Sequence, residues 1–232
     1  MLVLIPTPID EKTPLHQSAQ KIILDAIKEG HEKNLFVVED LRPGRRRWIS
    51  MGLPREVLEY LISYNEHGQK TEAKLLLEEL KKGRNIYLMS DGGLPAFCDP
   101  GMELVDLCHK NQIKVTATPF CNSISLAIAL SGYPHQRFLF AGFLPRKREE
   151  RVIELKKLKN YQESIVLLDT PYRLTALLED IKRTIPDREI FLGMDLGSPE
   201  ELLTRGKAAL LLKKFKGQKR EYILIIRALA KG

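Results

Sequence analysis

The chain has 232 residues, 44% of them hydrophobic and 29% charged, with 37 Lys and Arg against 30 Asp and Glu. That length suits one large domain or two small ones, and the composition excludes a disordered chain. No apolar run approaches the roughly 18–20 residues of a membrane span. Cys98, Cys108, Cys121 and five scattered histidines show neither a disulfide framework nor metal-ligand spacing, so a reduced, cytoplasmic protein without metal or membrane is expected.

In chain order, Leu2–Ile5 predicts a strand rather than a signal peptide, because no basic region precedes it. Residues 14–29 place Leu15, Ala19, Ile22, Ile23, Ala26 and Ile27 at helical spacing, closed by Gly30. Leu35–Val38 predicts a second strand that runs into Glu39-Asp40-Leu41-Arg42. Helices are expected over 45–51, 55–63 and 72–82, then a strand over 86–89 and a helix over 102–110. Residues 113–117 predict another strand. The rhythm then restarts, with helices over 123–130, 149–159, 171–183 and 200–205 and strands over 138–140, 164–168, 189–194 and 222–227. The alternation argues an α/β fold, mainly parallel in the first half and mixed in the second. Pro119 interrupts the pattern, which places two domains at 1–117 and 118–232.

Charge is unevenly placed. Residues 1–115 carry 16 Lys and Arg against 17 Asp and Glu, whereas 116–232 carry 21 against 13. Arg42-Pro43-Gly44-Arg45-Arg46-Arg47, Arg146-Lys147-Arg148 and the run 213–220 are dense enough to suggest a polyanion such as RNA, against the plainer reading of solvated helix faces.

Ligands of open α/β sheets sit beyond the carboxyl ends of the strands. The segments there are Pro6-Thr7-Pro8, Glu39-Asp40-Leu41-Arg42, Ser90-Asp91-Gly92-Gly93 and Pro119-Phe120-Cys121-Asn122-Ser123. Gly92 and Gly93 let a ligand approach the backbone, Asp91 can accept from a hydroxyl or ammonium group, and Asp99-Pro100-Gly101 can cap the following helix. Each is also compatible with an ordinary turn. GxGxxG and GxxxxGK[ST] are both missing, which speaks against dinucleotide and P-loop sites.

"SDGGLPAFCDPG" resembles the S-D-A-G-x-P-x-x-x-D-P-G signature of the tetrapyrrole methylase superfamily. Six further blocks lie along the chain, among them "LVLIPTPI", "VVEDLRPGRR", "SYNEHG", "LLDTPYRL" and "REYILIIRA", and they resemble the family of ribosomal RNA small-subunit methyltransferase I. The resemblance implies two α/β domains of the tetrapyrrole methylase type with a cofactor cleft between them, commonly in a homodimer. It also implies S-adenosylmethionine as cofactor, held by Pro8, Asp91, Gly92, Gly93, Phe97, Asn122, Ser123, Leu168 and Asp169. The acceptor it implies is a ribose 2′-hydroxyl of small-subunit rRNA. Glu39, Asp40, Glu66 and His67 are then candidate proton acceptors, Arg42, Arg45, Arg46 and Arg47 candidate phosphate ligands, and Trp48 either a base-stacking or a core residue. Two alternatives stay open: methylation of a tetrapyrrole or other small molecule, and a non-catalytic paralogue that binds cofactor or RNA. They are kept by departures from the family pattern at Leu94, at Phe120-Cys121-Asn122, at Asp169 and Tyr172, and at 194–199.

Overall fold

Apolar β-branched and aromatic runs build a five-stranded, wholly parallel sheet in the first half of the chain. The structure is a computed structural model that describes residues 1–8, 13–65, 69–120 and 122–229. The chain divides into two compact units, Met1–Asn122 and Ser123–Gly232.

In the first unit the strands are β1 (Leu2–Ile5), β2 (Asn34–Val38), β3 (Ile62–Ser63), β4 (Asn85–Met89) and β5 (Val115–Ala117). They are ordered β3-β2-β4-β1-β5. The helices are α1 (Gln17–Glu29), α2 (Leu41–Ser50), α3 (Gln69–Lys81) and α4 (Met102–Lys110). Side chains alternate across the sheet as the pleat requires. Val3, Ile5, Phe36, Val38, Tyr87 and Met89 pack with α1, with Trp48 of α2 and with the 3-10 turn Arg55–Tyr60. Leu2, Leu35, Val37, Ile86 and Leu88 pack with α3 and α4 on the other face.

Several bounds differ from the sequence expectation. The helix expected over 55–63 is a 3-10 turn followed by β3, which pairs with Val37 and Val38 of β2. The helix expected to begin at Arg45 begins at Leu41, because Asp40 caps it by accepting from the Arg42 N–H at 2.9 Å. Pro43 is tolerated in the first helical turn, where a backbone N–H has no intrahelical acceptor. The N-cap of α4 is Gly101 itself, without a side-chain cap from Asp99.

Helix α2 lies very close to β2. A Cβ on Gly44 would stand 2.7 and 2.8 Å from Cγ2 and Cβ of Val38. Gly44→Ala should therefore cost about 1–2 kcal/mol net, overpacking exceeding the helix-propensity gain of roughly 1 kcal/mol. Urea unfolding checks this, and a stabilised Gly44→Ala would disprove the close packing.

The second unit is mixed, as expected, with order β6-β7-β10-β8-β9. β6 (Phe138–Phe143) and β7 (Ser164–Asp169) are parallel, while β10 (Tyr222–Ile226), β8 (Glu189–Met194) and β9 (Leu202–Lys207) run antiparallel to their neighbours. One face is covered by α6 (Arg148–Leu158), α7 (Leu174–Thr184) and α8 (Ala208–Phe215), the other by α5 (Ser123–Ser131). The helix expected over 200–205 is corrected to β9, an edge strand paired to β8 along its whole length. Only that pairing makes a strand of Leu202-Leu203-Thr204-Arg205, whose local composition is equally at home in a helix.

Candidate functional site

Since all five strands of the first unit are parallel, their carboxyl ends share one edge. The chain leaves β1 toward β2 on one side and leaves β4 toward β5 on the other, so β1 and β4 flank the point where the winding reverses. Crevices for ligands open at such points, beyond the strand ends. The segments there are Pro6-Thr7-Pro8 after β1 and Ser90-Asp91-Gly92-Gly93 after β4. They are locked together: Thr7 and Gly93 exchange both backbone hydrogen bonds at 2.9 Å, and the Thr7 hydroxyl donates to the Ser90 carbonyl at 3.0 Å. Gly93 has φ +99°, and a Cβ there would meet open space, so glycine serves the backbone conformation. Ala96 and Cys98 both hold φ +65°, a costly setting for non-glycine residues that marks the loop as more than a connector.

Burial raises the Asp91 carboxyl above its ordinary range, and the neighbouring charge of Asp40 adds to this; Arg47 and Arg46 oppose it. These four charged groups thus share one electrostatic neighbourhood. Asp91 Oδ1 is buried and has no hydrogen-bond partner among the described residues. Gly92 and Phe97 are exposed on the same loop, and Glu39 is half-buried at the end of β2. Asn122 ends the first unit and Ser123 begins the second as the first residue of α5.

In the second unit, Leu168 and Asp169 close β7. Asp169 is buried, accepts from the Thr170 N–H at 2.8 Å and pairs with Arg173 Nε at 3.2 Å. Burial nevertheless pushes its carboxyl up, against those two stabilising contacts, and its Oδ2 has no hydrogen-bond partner among the described residues. Its cross-strand neighbour Tyr222 has a buried hydroxyl in the same condition, pushed up by burial and by the Asp169 charge.

The family profile for Tetrapyrrole (Corrin/Porphyrin) Methylases matches residues 15–211. The chain belongs to the tetrapyrrole methylase family. It is accordingly an S-adenosylmethionine-dependent methyltransferase. It is 33% identical over 218 residues to the Thermotoga maritima protein named ribosomal RNA small subunit methyltransferase I, covering 94% of this chain and 93% of that one. Among solved structures it is similar in fold to diphthine synthase, with TM-score 0.67 and 12% identity over 98% of this chain and 89% of that one. It is also similar in fold to uroporphyrin-III C-methyl transferase from Thermus thermophilus complexed with S-adenyl homocysteine. There the TM-score is 0.56 and the identity 16%, over 97% of this chain and 96% of that one.

The first unit of this methylase fits the cofactor. It offers a buried unpaired acceptor on Asp91, open space at Gly93 and a fixed pair of loops at the winding reversal. The arginine cluster, in contrast, is split by the helix. Arg42, Arg45 and Arg46 are exposed, Arg45 Nε donating to the Leu58 carbonyl at 3.3 Å. Arg47 is only 4% exposed and donates through Nη2 to the Pro8 carbonyl, so it does not join the surface set. Trp48 is fully buried, with Nε1 donating to the Pro54 carbonyl at 2.8 Å, and is a core residue rather than a base-stacking one. The signal for both was in the sequence: Leu41, Gly44, Trp48 and Met51 recur at helical spacing, and Arg47 falls on their face. Glu66 and His67 lie outside the described residues. Among the described residues, no group of His, Cys, Asp and Glu could hold a metal ion, and no helix is long and apolar enough to cross a membrane.

Proposed function

We propose that this methylase modifies small-subunit ribosomal RNA at a ribose 2′-hydroxyl, with S-adenosylmethionine held by the loops after β1 and β4. The observation that carries the reading is the end-to-end similarity to the Thermotoga maritima rRNA methyltransferase. The exposed Arg42, Arg45 and Arg46 support it, because they stand on the helix that begins where β2 ends, beside the Asp91 loop. The cofactor supplies an electrophilic methyl group on a sulfonium. The chain's task is then to hold and orient the acceptor and to manage one proton.

As the new oxygen–methyl bond forms and the sulfur–methyl bond breaks, the hydroxyl proton must leave. Glu39 and Asp40, the described carboxylates at the carboxyl end of β2, are the proposed proton acceptors; Asp40 spends one oxygen on capping α2, which fixes its position. Pro8, Asp91, Gly92, Gly93, Phe97 and Asn122 make the cofactor set proposed for the first unit. Arg42, Arg45 and Arg46 present guanidinium groups to RNA phosphates.

Incubating small ribosomal subunits with labelled S-adenosylmethionine tests this. Label is expected in 16S-type rRNA, at a nucleotide whose 3′ linkage resists alkali. Replacing Arg42, Arg45 and Arg46 by Ala should lower RNA affinity and flatten its salt dependence by about 0.7–0.9 units of log–log slope per lost phosphate contact, while cofactor affinity holds. Unlabelled rRNA from active enzyme, together with an unchanged slope, would move the acceptor to a small molecule.

A further inference from the structure

We propose that Arg47 anchors the carboxylate at the amino-acid end of S-adenosylmethionine while Asp91 receives its ammonium group, an inference that rests on the cofactor occupying the loops after β1 and β4. Arg47 sits on the inner face of α2 with Gly44 and Trp48, an unusual place for a guanidinium. One of its nitrogens, Nη2, is satisfied by the Pro8 carbonyl; its Nε is buried and has no hydrogen-bond partner among the described residues. Asp91 Oδ1 is likewise buried and unpartnered, so the two groups do not satisfy each other. Both are nonetheless held in one place. Pro8 follows Thr7, Thr7 is paired in both directions with Gly93, and Asp91 lies two residues before Gly93.

A buried donor and a buried acceptor left open in one electrostatic neighbourhood each cost free energy, and their charges identify what would satisfy them. The anionic group accepts a cation and the cationic group accepts an anion. A ligand carrying both at short covalent distance, an α-amino acid end, fits that pair. An RNA phosphate suits Arg47 alone and would be repelled by the Asp91 and Asp40 carboxylates, which lie in the same neighbourhood. Adenine and ribose bring no charge to either group. Arg47 therefore belongs to the cofactor, although it adjoins arginines that face outward.

Titration calorimetry with two probes reads this directly. S-adenosylhomocysteine keeps the amino-acid end, and 5′-methylthioadenosine lacks it. Arg47→Met should weaken S-adenosylhomocysteine about tenfold or more, the size of one charge-assisted hydrogen bond, and leave methylthioadenosine within about twofold. Arg47→Lys should recover part of the loss. Equal weakening of both probes would make Arg47 a merely structural tie to Pro8, and no weakening of either would likewise overturn the proposal. If Arg47→Met fails to fold, the selectivity of Arg47→Lys between the two probes decides by the same criterion. A wild-type protein that binds neither probe removes the cofactor placement itself, and that outcome is distinct from loss of the Arg47 role alone.

Discussion

Asp91→Asn is expected to lower S-adenosylmethionine affinity by about 10- to 100-fold, corresponding to the roughly 1.5–3 kcal/mol of a hydrogen bond to a charged group. The same change should leave the unliganded protein as stable as before, or more so. The two effects have one cause. Burial, assisted by the Asp40 charge, holds the Asp91 carboxyl above its usual range even though Arg47 and Arg46 pull the other way. A carboxyl whose pKa in the folded protein exceeds its unfolded value binds its proton more tightly in the fold. Its ionisation at higher pH then costs stability, and Asn removes that cost. The ionised form is the one that can accept from an ammonium group, so cofactor affinity should fall as pH drops through the raised Asp91 pKa. In that acid range, binding should release a proton from Asp91, visible as a dependence of the calorimetric heat on the buffer. Asp91→Asn that binds the cofactor like the wild type would place the amino-acid end elsewhere. Together the two results would mark a site prepared for a ligand at the expense of the empty fold, the trade between activity and stability common at functional positions.

Asp180→Ala should be the most damaging single change outside the proposed site, at about 3–5 kcal/mol, the range for stripping the partner from a buried charge. Asp180 lies on α7 with a side chain 1% exposed. It accepts from Arg151 Nε at 3.0 Å and Nη2 at 2.8 Å, and from Arg148 Nε at 3.1 Å. Arg151 is itself buried, and its Nη1 donates to the Arg146 carbonyl at 2.9 Å, so one carboxylate fixes α6 to α7 and orders the turn before α6. Removing it leaves a buried guanidinium without the carboxylate to which its Nε and Nη2 donate. Replacing the pair together, Asp180→Leu with Arg151→Met, should lose much less, because no buried charge is left unpaired and the half-exposed Arg148 turns to water. Urea unfolding of the three proteins decides the matter. An Asp180→Ala protein within about 1 kcal/mol of wild type would reduce the pair to the value of a surface salt bridge. Arg148 has a further lesson: one member of the basic run Arg146-Lys147-Arg148 is engaged inside its own unit rather than wholly available to a polyanion.

The α/β alternation, the parallel first sheet and the mixed second sheet were legible because apolar runs and helical periodicity are local properties of the chain. β8 is met at both ends by its sequence pattern, and α4 likewise. The Asp91-Gly92-Gly93 loop announced itself by residue types that ordinary connections rarely need. Tertiary structure decided everything that depended on a neighbour distant in sequence. Leu202–Lys207 is a strand only because β8 offers it a ladder of hydrogen bonds. Ile62–Ser63 is a strand only because β2 does. Above all, the run Arg45-Arg46-Arg47 reads as three equivalent charges, and a helix turns successive residues by about 100°, so two face water and the third is driven against the sheet. Composition cannot separate them. The packing of Gly44 against Val38 fixes which face is inward, and with it which arginine meets Pro8.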